Sequence, residues 1–138
     1  MKRIILILLF LIPSLTSAQL VFANIHLGTN PQNETFTGVI GMEVFATDRL
    51  SFDGNFVRNK ELTTGTFNAN FAVIQTQKYS INPSIGITYF YKPVFGVSSY
   101  YQIFDNVHIS ANYEYIRNDL RLHTISLGLS INLTQLEL

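Results

Sequence analysis

The chain has no cysteine and no tryptophan, and few charges. Without cysteine there is no disulfide framework, no thiolate metal site and no lipoprotein anchor. Charged residues make up 13% of the chain, against about 25% in an ordinary soluble domain. The formal net charge is zero, so no broad basic face is offered to nucleic acid. No apolar run is long enough to cross a bilayer as a helix, and no helical period appears beyond the N-terminal segment. The three histidines show neither His-x-His nor His-x-x-x-His spacing, so no metal site is expected. No glycine-rich phosphate loop is present, and no cofactor is implied.

What is present begins with "MKRIILILLFLIPSLTSAQ". Lys2 and Arg3 precede a short apolar run, Pro13 and Ser14 end it, and Thr16-Ser17-Ala18 offers a cleavage site. Residues 1–18 are expected to be a signal peptide and residues 19–138 the single mature domain. Beyond it, side chains alternate with period two almost everywhere. "VHISANYEY" (107–115) is typical: Val107, Ile109, Ala111, Tyr113 and Tyr115 form one row, and His108, Ser110, Asn112 and Glu114 the other. About eight strands are expected, over 20–28, 36–46, 50–58, 66–75, 79–91, 94–104, 107–115 and 122–133.

One face of these strands is apolar, with tyrosines near its ends. The other carries Asn, Ser, Thr and Gly. A soluble exterior should be roughly a quarter to a third Lys, Arg, Glu and Asp. Here only Glu43, Asp53 and Glu114 sit well inside strands on the polar face, and nearly every other charge falls at a turn, loop or strand end. An uncharged band flanked by charged turns is what a bilayer selects, because a lysine or arginine facing lipid at mid-depth costs about 2–4 kcal/mol. The expected fold is therefore all-β: one closed, antiparallel, up-and-down transmembrane barrel, apolar outside and polar inside. Closure follows because an open sheet edge in hydrocarbon leaves amides unpaired.

The units "TDRLSFDGNF" and "DNVHISANYEY", the leader ending "TSAQ" and the closing "HTISLGLSINL" resemble the small eight-stranded outer-membrane β-barrel proteins of Gram-negative bacteria, of the OmpX and OmpA-barrel type. The resemblance implies an outer-membrane location, a monomer with outer-membrane lipid and the insertion machinery as partners, and a structural or surface-interaction role without enzymatic activity. Such proteins usually end on an aromatic residue that the insertion machinery reads, whereas this chain ends "INLTQLEL". With both termini in the periplasm, the tight turns would face the periplasm and the longer loops the cell surface.

Two constellations merit weighing. "HIS" at 108–110 matches the His-x-Ser pair of the outer-membrane lipid A deacylases in spacing, but Ala111 follows Ser110 where those enzymes have asparagine. Residues two apart on a strand are also about 6–7 Å apart at the backbone, too far for a ready nucleophile–base contact. Glu43 and Asp53 should face each other across the "TDR" turn, and facing like charges destabilise a strand pair. An arginine, His26, His108 or a shared proton would relieve them. Glu43, Asp53, His108, Ser110, Asn112 and Glu114 are thus read as a polar lumen network without a catalytic residue. The alternatives are an envelope-lipid hydrolase and a narrow pore. The lumen is expected to be blocked, with Phe45, Phe90 and Tyr100 also pointing inward.

Overall fold

The computed structural model describes residues 20–32, 34–60, 62–117 and 122–135. The expected signal peptide lies outside the described residues. Alternation builds nine strands: β1 (Leu20–Asn30), β2 (Thr35–Phe45), β3 (Leu50–Asn59), β4 (Thr63–Phe71), β5 (Ile74–Gln75), β6 (Tyr79–Thr88), β7 (Pro93–Phe104), β8 (Val107–Ile116) and β9 (Leu122–Asn132). Sequence neighbours pair antiparallel throughout except β4 and β5. The sheet closes because β1 also pairs β9 and β4 also pairs β6. The result is a closed eight-stranded barrel in which β5 prolongs β4.

The fourth strand was expected to run unbroken over 66–75. It breaks at Ala72–Val73: Asn70 pairs with Ser84 and Ile74 with Ile81, one residue out of register. Pro83 lies opposite the break. It has no N–H to give to a ladder, so a bulge beside it is the natural relief.

Strands of 9–12 residues at about 3.3 Å per residue, tilted by about 40°, span roughly the 25 Å apolar band of a membrane barrel. The outward side chains fit that medium. Ile25, Leu27, Phe36, Ile40, Phe56, Ile85, Ile125 and Leu127 are all at least half exposed, Leu127 at 64%. Asp48, Arg49, Lys78 and Asp105 are exposed at one end, and Glu34, Arg58, Lys60, Lys92 and Arg117 at the other. Tyr79 and Tyr101 pair on the outer face near the first end. Tyr113 and Tyr115 flank His123 near the second, where the Tyr113 hydroxyl and His123 Nδ1 are 2.7 Å apart.

The two ends differ less than the sequence suggests. β1 runs to Asn30 and β3 to Asn59, and β4 starts at Thr63. "TNPQNET" and "NKELTTG" therefore shrink to connections about as short as those on the other side. Phe90 does not enter the lumen: it sits in the 89–92 turn at 60% exposure, packed edge-on against Tyr89. Tyr91 in that turn takes φ 61°, which reverses the chain before β7.

No glycine among the described residues has positive φ, so the strand glycines are there for space. A Cβ on inward-facing Gly41 would meet Asn55 Oδ1, one on Gly86 would meet Asn68 Oδ1, and one on Gly128 would meet the His26 ring. Each gap is covered by a longer polar side chain from the next strand. That cross-strand filling lets a narrow barrel hold asparagine and histidine.

Candidate functional site: the polar lumen

From end to end the lumen has three zones. At the end carrying the 89–92 turn, Val94, Ile116 and Leu122 point inward and are fully buried, with Leu62 packed on them. These four close that mouth. The middle is polar. At the other end a cavity of about 300 Å³ opens among Phe22, Phe45, Tyr79, Tyr100, Glu43, Lys78 and His108.

The middle zone is organised by Glu43 and Asp53, which sit directly opposite each other, as Val44 and Phe52 do beside them. No arginine, lysine or histidine is bonded to either carboxylate among the described residues. Neutral donors solvate them instead. Ser51 Oγ donates to Glu43 Oε1 at 2.5 Å, and the Tyr100 hydroxyl donates to Oε2 at 3.1 Å. Asp53 accepts from three amides: Asn68 at 2.8 Å, Asn70 at 2.7 Å and Asn55. Asn70 also reaches Glu43 and Ser51 at 3.4 Å. A buried carboxylate is tolerated only when its oxygens are hydrogen-bonded, and short asparagines from β3 and β4 provide that here. Relief was expected from an arginine, His26, His108 or a shared proton, and no basic side chain supplies it among the described residues. The bonds come from the amides of Asn55, Asn68 and Asn70 and the hydroxyls of Ser51 and Tyr100.

His108 and Ser110 turn to different partners. The His108 ring packs edge-on against Phe22 at 5.3 Å, and its Nδ1 has no protein partner. Ser110 instead meets His26, Oγ to Nε2 at 3.2 Å, and Asn112 Nδ2 bonds His26 Nδ1. Serine, histidine and asparagine in a row have the form of a nucleophile, a base and an orienting group. The details oppose that chemistry. Ser110 is 1% exposed and His26 3%. The adjoining cavity is about 50 Å³, and Ser110 does not line it. Nor does Ser110 line the wider cavity at the open mouth.

The clue to this contact lies in register. Ser110 pairs with Gly128, and Gly128 pairs with His26. Over the missing side chain the imidazole lies flat and reaches the serine two strands away. Glu114, the sixth residue of the expected network, is on the opposite wall from Asp53 and lines the same small cavity.

No protein-family model and no curated protein matches the chain in sequence. Solved structures do match in shape. A de novo designed transmembrane β-barrel superposes with a TM-score of 0.68 at 13% identity, covering 84% of this chain and 97% of the design. The designed barrel TMB2.3, solved by NMR, gives 0.69 at 17% identity, covering 85% and 96%. The fold is that of a small transmembrane β-barrel. The outer membrane protein Ail of Yersinia pestis, solved in a phospholipid bilayer nanodisc, is similar at a TM-score of 0.56 and 11% identity, covering 82% of this barrel and 98% of Ail. Identities this low carry the fold alone. They agree with the outward apolar band and the antiparallel closure, and the expected architecture stands.

Proposed function

We propose that the chain is a non-enzymatic outer-membrane barrel with a structural or surface-interaction role. It acts as a monomer, with outer-membrane lipid and the insertion machinery as its partners. The observation that carries this reading is the lumen: polar in its middle, sealed at one mouth by Val94, Ile116 and Leu122, and with Ser110 buried against His26. With one mouth sealed and the described connections short, the lipid-facing wall and the rims are what such a barrel offers to its surroundings. Closure into a ring leaves no free edge for pairing with another chain, in keeping with a monomer. Fractionation should place the protein in the outer membrane.

The assignment of faces is tested with single cysteines, which the cysteine-free chain accepts cleanly. Leu127 and Ser126 are neighbours on β9 that point opposite ways, 64% and 4% exposed. A fluorophore on Leu127→Cys should emit blue-shifted and be quenched from the lipid phase. Free reaction of Ser126→Cys with a charged maleimide in protein that stays soluble without detergent would refute the membrane reading. Liposomes carrying the protein should swell in a sugar no faster than empty ones, and clear swelling would make it a pore.

A further inference from the structure

The middle of the lumen has carboxylates without counter-ions and acceptors without donors. Asp53 on β3 and Glu114 on β8 face each other from opposite walls of the cavity of about 50 Å³. Every described lysine and arginine is exposed at a rim. Asn24, Asn68 and Asn112 line the same cavity, and the Oδ1 atom of each is buried without a protein partner. Asn24 and Asn68 are each only 6% exposed. Their orientation is not free. The Asn68 amide nitrogen donates to Asp53, and the Asn112 side chain meets the His26 ring. The Asn68 oxygen also lies against Gly86, where any Cβ would displace it. Buried acceptors of this kind call for a donor or a cation.

We propose that this cavity binds one hard divalent cation of the calcium type, held by the Asp53 and Glu114 carboxylates and the Asn24, Asn68 and Asn112 amide oxygens. Five side chains give five to seven oxygens, within the range calcium takes, and two carboxylates balance its charge. No cluster of three His, Cys, Asp or Glu converges among the described residues, and both His26 nitrogens are engaged. The donor set is therefore all oxygen, unsuited to a soft transition metal. The volume admits an ion with little water but no organic ligand. Entry is from one side. Tyr100 lines both this cavity and the wider one at the open mouth, whereas the other mouth is sealed.

The test uses the refolded full barrel in detergent, stripped with chelator and titrated with calcium by calorimetry. In parallel, terbium luminescence is excited through tyrosine, of which Tyr100 is at the site. One ion per chain is expected, with calcium displacing terbium. Glu114→Gln and Asp53→Asn keep side-chain size and should each weaken binding about 100-fold or more. Asn24→Ala leaves both carboxylates in place and should weaken it about tenfold. Gel mobility before and after heating reports folding of each variant, and exposed Glu34→Gln should bind as the parent does. Absence of stoichiometric uptake by the parent overturns the proposal. So does equal affinity in the folded Glu114→Gln and Asn24→Ala variants, which would put the ion on the rims.

Discussion

Gly128→Ala asks whether the lumen is as tightly filled as it looks. The added methyl would stand 2.2 Å from the Ile25 carbonyl oxygen and 2.6 Å from His26 Cδ2. The ring can swing away, but the carbonyl belongs to the β1–β9 ladder that closes the barrel. Overpacking of this kind costs about 1–3 kcal/mol. Moving His26 forfeits its contacts with Ser110 and Asn112, about 1 kcal/mol each. Against this, replacing glycine restricts the unfolded chain and returns about 0.4–1 kcal/mol. The net loss expected is about 2–4 kcal/mol, read from reversible urea unfolding out of lipid vesicles. Gly38→Ala is the control, because nothing lies within 4 Å of its added methyl. That variant should be neutral or slightly more stable. Adding His26→Ala to Gly128→Ala should relieve the side-chain part of the clash and leave the backbone part. If Gly128→Ala stays within about 0.5 kcal/mol of the parent, or Gly38→Ala loses as much, the account of the inward glycines is wrong.

Leu127→Lys should destabilise the inserted barrel by about 2–4 kcal/mol in the same unfolding experiment, and a neutral result would contradict a mid-bilayer position. Tyr100→Phe removes one donor from buried Glu43 and should cost about 1–3 kcal/mol, with the barrel's circular dichroism unchanged. Ser110 should resist a fluorophosphonate probe in folded protein and at any detergent concentration that preserves the fold. Labelling of the parent that disappears in Ser110→Ala would reopen the lipid-hydrolase reading.

The wall of the barrel was legible in the sequence, and its contents only partly so. Alternation is a local property with a period of exactly two residues, so the strand positions, the two faces and the Glu43–Asp53 opposition can all be read from neighbours along the chain. The break at Ala72–Val73 was foreshadowed by Pro83 a strand away, yet a proline marks its partner only once pairing is known. Phe90 followed the parity of its strand on paper, but β6 ends at Thr88 and parity has no meaning in a turn. His26 and Ser110 are 84 positions apart. Their contact depends on how β1 closes against β9, which no local pattern encodes. The one available sign was Gly128, a gap in an inward row that some neighbour had to cover.

The same economy of space explains the low charge of the chain. A lumen could answer Glu43, Asp53 and Glu114 with arginine or lysine, but such a pair must repay the desolvation of both ions and needs room for a long side chain. Rows punctuated by glycine offer gaps that asparagine fits: Asn55 over Gly41, Asn68 over Gly86. An amide brings donors without a second buried charge, so Asp53 is satisfied three times at little electrostatic cost. Each amide that donates also leaves an oxygen behind. A lumen solvated by asparagine therefore accumulates acceptors and negative charge together, and the surplus gathers around one small cavity.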